Sequence, residues 1–287
     1  MPVIGLSQPV QAKRTQVAAC LALLMFACAG DARSQDAGSL NGLLGIQLYA
    51  VGGALVPLGV NSNVSAVDQT LSSAGLGPLL TDSEQGGSSS TVGFLGARVH
   101  VPFLWRMSDE QRLSFAVFFE TGFQSAFAAQ SFNQNFQNVS FFGGDFGSSS
   151  INEYYQIPVL LGATLPVGQR SGGGPSVLFD AYAGLTLDSW QQTLQGTEAA
   201  SMGGPSFYGQ NRRFTVDPTI GVGLRVPVGD LRSEMPFFFG ANAELQFRPG
   251  SVVTAQSQNF PITYYGTVDP HPNLAIMARF GFSFGGR

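Results

Sequence analysis

Cysteine, lysine and charge are all scarce in this chain. Its two cysteines, Cys20 and Cys28, lie near the N-terminus, and lysine occurs once, as Lys13. Charged residues make up 11% of the sequence, less than half the usual share. Each scarcity excludes something. Past Cys28 there is no thiol left for a disulfide framework or a thiolate metal site. A net charge of −4 without a Lys/Arg cluster excludes a nucleic-acid partner. Beyond the N-terminal segment no apolar run is long enough to cross a bilayer as a helix. The sequence has no phosphate-binding loop, no His-Glu-x-x-His pair and no Gly-x-Ser-x-Gly. The expectation is therefore a protein without enzymatic activity, cofactor or bound metal. Disorder is excluded by an apolar fraction of 44%.

The N-terminus reads as a secretory signal over residues 1–34. Lys13 and Arg14 supply its positive end and Val17 to Ala29 its apolar run. Small-residue cleavage sites follow at Ala27-Cys28-Ala29 and at Ala32-Arg33-Ser34. Met25-Phe26-Ala27-Cys28 also loosely resembles a lipoprotein signal, with Met where an aliphatic residue is wanted. Cleavage before Gln35 removes Lys13, Arg14, Arg33 and Asp31 and leaves 11 positive against 17 negative side chains.

What is abundant is glycine, 37 residues, and phenylalanine, 24 residues. They fall into alternating patterns across residues 40–287. In Asn273 to Phe284, Leu274, Ile276, Ala278, Phe280, Phe282 and Phe284 alternate with Ala275, Met277, Arg279, Gly281 and Ser283. A period of two is a β-strand with two unlike faces. Seven earlier segments alternate likewise: Leu44–Val56, Thr91–Trp105, Gln111–Phe127, Ile151–Val167, Val177–Trp190, Arg213–Val228 and Phe237–Arg248. The connections alternate too, the short ones spanning 5–9 residues and the long ones 22 to about 33. That rhythm predicts a closed, up-and-down antiparallel transmembrane β-barrel of eight strands, with short turns on one side of a membrane and long loops on the other. The first loop, residues 57–90, leaves room for a further hairpin.

Within the strands most ionisable groups gather on one face: Arg98, Arg112, Arg213, Arg225, Arg248 and Arg279 against Glu120, Asp180, Asp188, Asp217 and Glu244. Isolated buried charges are prohibitive, so these should pair inside the barrel. Strand register places Asp217 opposite Arg248 and Glu120 diagonal to Arg98. The expected mid-barrel cluster is Arg98, Glu120, Glu244 and Arg279. A stabilising polar core is the first reading of this set, and an ion pathway the second. His100 reads as a polar filler on the same face, and His271 as a loop residue between two prolines. Trp105, Phe103, Phe237, Trp190, Tyr154 and Tyr155 fit aromatic girdles at strand ends. Strict alternation also points Tyr154 inward. Among the connections, Val64–Leu71 suits a short helix, Phe132–Val139 an extension of a hairpin, and Gly147–Ser150 a flexible connector. Pro158 sits awkwardly inside a strand.

These features resemble the eight-stranded outer-membrane β-barrel proteins, the porin-like group around outer membrane protein A. The alternation, the loop rhythm, the closing strand and the phrase Tyr154-Tyr155-Gln156-Ile157-Pro158-Val159-Leu160-Leu161-Gly162 carry the resemblance. It implies the outer membrane of a Gram-negative bacterium, contact with outer-membrane lipid, and a monomer. It also implies that the insertion machinery reads Asn273 to Phe284, although Gly285-Gly286-Arg287 follow the aromatic end. The function expected is structural or surface-interacting through the long loops, around a lumen that is closed or conducts little. Two alternatives stand beside it: a lipid-modifying barrel enzyme, and a soluble lipocalin-like barrel whose apolar faces point inward.

Overall fold

The computed structural model describes residues 45–68, 81–83, 88–107, 113–127, 130–138, 145–168, 175–197, 206–228, 235–258 and 262–284. The expected signal segment lies outside these residues. Every regular element among them is a strand. In chain order they are β1 (Ile46–Pro57), β2 (Ser62–Asp68), β3 (Thr81–Ser83), β4 (Ser88–Ser89), β5 (Val92–Met107), β6 (Leu113–Phe127) and β7 (Gln130–Asn138). Then come β8 (Asp145–Val167), β9 (Val177–Thr197), β10 (Ser206–Val228), β11 (Phe237–Arg248), β12 (Ser251–Ser257), β13 (Ile262–Val268) and β14 (His271–Phe284).

Eight of these form an antiparallel ring in the order β1, β5, β6, β8, β9, β10, β11, β14. The ring returns to its start because β1 pairs with β14 from Ile46↔Phe284 to Pro57↔Asn273. Each ring strand coincides with one of the eight alternating segments. Just after β8, Gly168 has φ +70°, a conformation only glycine adopts without strain.

The two faces of the ring differ as the alternation requires. Leu48, Leu95, Phe123, Leu161, Leu185, Ile220, Phe239 and Ile276, one from each ring strand, point outward and are 36–61% exposed. A soluble barrel enclosing a ligand needs the opposite orientation: Phe280 and Val222 would be inside, and they are exposed.

Beyond the end carrying the long connections, hereafter the loop end, the strands run further than their apolar alternation. β8 begins at Asp145, β9 reaches Thr197 and β10 begins at Ser206. Gly147–Ser150, expected as a flexible connector, is therefore ladder, paired on one side with β7 and on the other with β9. Backbone pairing continues there while hydrophobic periodicity has ceased, so pattern alone underestimates strand length. Val64–Leu71 is likewise not a helix over its described part. Residues 62–68 form β2, which pairs with β13, and 69–71 lie outside the described residues. Val64 and Ala66 are buried together with Leu194, Phe207, Val253, Ala255 and Tyr264, a cluster that rewards period two over period 3.6. The short strands β3, β2, β13 and β12 thus extend the sheet from β10. Pro158 is accommodated because the β6–β8 ladder lapses between Thr121↔Val159 and Gln124↔Gln156. Its carbonyl accepts a hydrogen bond from Thr121 Oγ1 at 2.7 Å.

Candidate functional site

The interior of the ring is polar. Arg98, Glu120, Asp180, Asp217, Arg225, Glu244, Arg248 and Arg279 are each 0–3% exposed. They divide into two clusters with different charge balance.

The first contains three guanidinium groups and three carboxylates. Arg98 donates from Nη1 to Glu120 Oε1 at 3.0 Å. It grips Glu244 through both terminal nitrogens, with Nη2 at 3.0 Å from Oε2. Arg279 reaches Glu120 Oε2 at 3.3 Å and Asp180 Oδ2 at 2.6 Å. Arg225 forks onto Asp180, from Nε to Oδ2 and Nη2 to Oδ1, each at 2.7 Å. Neutral donors and acceptors complete the set. Thr164 Oγ1 donates to Asp180 Oδ1 at 2.7 Å and Tyr182 OH donates to Glu244 Oε1 at 3.0 Å. Gln47 and the Tyr49 hydroxyl accept from Arg225. All eight ring strands contribute, so the cluster crosslinks the ring across its centre. Charge-assisted, largely bidentate pairs are what can offset the desolvation of so many buried ions.

Room for these side chains comes from inward glycines. A Cβ added at Gly223 would lie 2.8 Å from Arg279 Nη2, and one at Gly240 3.0 Å from Arg279 Nε. At Gly221 a Cβ would meet the Tyr182 ring at 2.4 Å. The glycine abundance of the sequence thus has a packing cause here: the ring is narrow and its contents are long.

The second cluster lies nearer the loop end and is unbalanced. Arg248 donates to Glu153 Oε1 at 2.6 Å and Oε2 at 2.8 Å, and to Asp188. Asp217 Oδ2 is 3.8 Å from its Nε. One guanidinium thus serves three carboxylates. Its plane also lies over Trp190, 5.1 Å from the ring centre. Above it Trp190 packs with Phe132, Ile151 and Val268, an apolar layer across the interior at the loop end.

Glu153 is the site residue that alternation missed. The β8–β9 register slips between Glu153 and Tyr155. This bulge turns Glu153 inward to Arg248 and puts Tyr154 and Tyr155 both outside. Tyr154, read as inward, instead donates its hydroxyl to Gln191 Oε1 at 2.8 Å on the outer face. Two consecutive tyrosines in a strand that is otherwise half-apolar were the available signal, since both can face outward only if the strand slips. Trp190 also departs from expectation. It is fully buried inside the ring rather than in an outer girdle, with Nε1 donating to Thr215 Oγ1 at 3.1 Å. The side chains of Arg112 and Trp105 lie outside the described residues. Arg213 binds the Val252 carbonyl at 3.1 Å and stays out of both clusters.

Both histidines are buried. His100 Nδ1 is 3.1 Å from Glu120 Oε2 and its ring lies against Phe118, centroids 4.1 Å apart. His271 opens β14 instead of sitting in a loop, and its Nδ1 donates to the Asp269 carbonyl at 2.9 Å. Neither faces the apolar exterior. Among the described residues no group of three His, Cys, Asp or Glu is arranged to hold a metal ion.

Fold and interior together define an all-β protein whose eight-strand ring is ionic within and apolar without. No protein-family model and no curated protein matches the chain. Among solved structures it is similar to the outer membrane protease OmpT from Escherichia coli, at 7% identity and a TM-score of 0.37, over 84% of this chain and 97% of that one. A likeness at that level decides neither fold nor activity.

Proposed function

We propose that the chain is a monomeric outer-membrane β-barrel of a Gram-negative bacterium. Its eight ring strands span the bilayer after removal of residues 1–34, and it works at the cell surface through its loop end rather than by conduction or catalysis. The observation that carries this reading is the outer face. Every ring strand presents large exposed apolar side chains there, while the charges of the two ion-pair clusters lie inside. Water penalises so continuous an apolar surface, and hydrocarbon does not. Outer-membrane lipid is then the first partner. The insertion machinery is a second, through Asn273 to Phe284, whose outward residues Ile276, Phe280 and Phe284 are exposed.

The closed-lumen part of the reading rests on the two ion-pair clusters and on the apolar layer of Phe132, Ile151, Trp190 and Val268. An eight-stranded barrel is narrow enough for side chains to fill. The non-catalytic part is supported by the burial of both histidines. Membrane fractionation with heat-modifiable gel migration tests the barrel: the unboiled protein should be found in the membrane and migrate differently from the boiled one. Recovery of the intact protein in the soluble fraction overturns the proposal. Planar-bilayer recordings test the lumen, since large, steady single-channel steps contradict closure.

A further inference from the structure

The bulge that turns Glu153 inward also builds something outside. On the outer face Tyr155, Ser189 and Phe214 form one cross-strand row, the last of the apolar band on this side. The next row toward the loop end is Asn152, Gln191 and Arg212. Tyr154, swung outward by the bulge, lies flat beneath Arg212, whose guanidinium carbon is 4.7 Å from the ring centre. The tyrosine hydroxyl is held by Gln191, and Gln191 Nε2 donates in turn to Thr193 Oγ1 at 3.2 Å. Arg212 is exposed and has no carboxylate partner among the described residues, whereas the arginines of the two interior clusters are ion-paired. Stacking on Tyr154 fixes the guanidinium plane and leaves its donor edge free.

Beyond Arg212 the same face of β8, β9 and β10 is uncharged and polar. Its rows are Ser150, Thr193 and Gln210, then Ser148, Gln195 and Tyr208. A groove of about 530 Å³ opens there, lined in part by Asn135, Ser148, Gln195, Thr197, Ser206 and Tyr208. At the rise of a strand, Tyr208 stands about 13 Å past Arg212. Amides and hydroxyls, with an exposed tyrosine, suit the hydroxyls and apolar faces of sugars; a lone anchored guanidinium suits a phosphate.

Resting on the barrel reading above, we infer that the outer face of β8–β10 just past the apolar band holds the headgroup of a phosphorylated glycolipid of the outer leaflet. Its phosphate sits on Arg212, its saccharide extends into the groove, and its acyl chains lie along Phe214 and Val216. Continuity with the lipid-facing band selects a membrane-borne ligand over a free one, and the order of apolar row, cation and polar rows matches acyl chain, phosphate and sugar.

The test is native mass spectrometry of the full chain in detergent, titrated separately with a bisphosphorylated glucosamine-disaccharide lipid, its dephosphorylated form and phosphatidylglycerol. The bisphosphorylated glycolipid should bind most tightly. Arg212→Gln should weaken that binding at least about tenfold, the loss of a charge-assisted pair, and Tyr154→Leu about threefold by freeing the guanidinium. Binding of the dephosphorylated lipid should not change in Arg212→Gln. Equal affinity of wild type and Arg212→Gln for the phosphorylated glycolipid, or equal affinity of wild type for phosphatidylglycerol, overturns the inference. Heat-modifiable migration of the same samples separates the two levels. A normal heat shift with no phosphate-dependent binding sinks the headgroup site alone, and no heat shift in wild type sinks the barrel with it.

Discussion

Replacing Arg248 by methionine isolates the energetics of the interior. In the folded protein this one guanidinium neutralises Glu153 and Asp188 by direct hydrogen bonds and Asp217 at 3.8 Å. All four groups are buried. Methionine fills comparable volume and keeps contact with Trp190, so packing changes little and the charge is what is lost. Removing one partner of a buried ion pair costs about 3–5 kcal/mol, and three carboxylates left together place this case at the upper end. The assay is equilibrium unfolding in urea of protein refolded into lipid vesicles, followed by tryptophan fluorescence. Arg248→Met should lower stability by about 4 kcal/mol. Two companions sharpen the reasoning. Asp217→Asn removes surplus negative charge from a cluster of three acids and one base, so it should be neutral or stabilising. Glu244→Gln breaks a balanced cluster of three and three, so it should destabilise by about 3 kcal/mol. If Arg248→Met unfolds within about 0.5 kcal/mol of wild type, the size of an ordinary surface change, the carboxylates are solvated and the sealed interior is wrong. If Asp217→Asn and Glu244→Gln shift stability by equal amounts, the difference in charge balance has no energetic meaning.

Ile276→Arg, at the middle of the outward stripe of β14, should cost about 2–4 kcal/mol in vesicles and reduce membrane insertion; unchanged insertion would show that this face does not meet hydrocarbon. Gly223→Leu places a side chain where Arg279 Nη2 lies and should destabilise by about 1–3 kcal/mol, while Ala278→Leu on the exposed face should be nearly neutral by the same unfolding measurement. In planar bilayers, wild type should show no steady steps. Trp190→Ala opens the apolar layer but leaves both ion-pair clusters, and should still conduct little; a large conductance in that variant would mean that the layer alone seals the interior.

Much of this protein was legible along the chain because a strand has a period of two and the two faces of the ring are unlike. The inward positions of Arg98, Glu120, Glu244 and Arg279 follow from counting alternate residues. The diagonal contact of Arg98 with Glu120 follows from one short hairpin, since the register there is set within about two dozen residues. The loop end was less legible. In β8, Gly147–Ser150 carries no apolar alternation yet is fully paired, and in β2 the pairing with β13 joins segments 200 residues apart in sequence.

The covalent period of the backbone, then, determined by itself which side chains share a face along each regular stretch of strand. Only the folded ring decided who meets whom across it. Arg98 grips Glu244, 146 residues away, because β5 and β11 face each other over a narrow interior, which no local pattern records. The same is true of the slip at Tyr154. One extra residue reverses parity, and whether the chain spends it there depends on a buried guanidinium on β11 attracting Glu153 and an exposed one on β10 resting on the displaced ring.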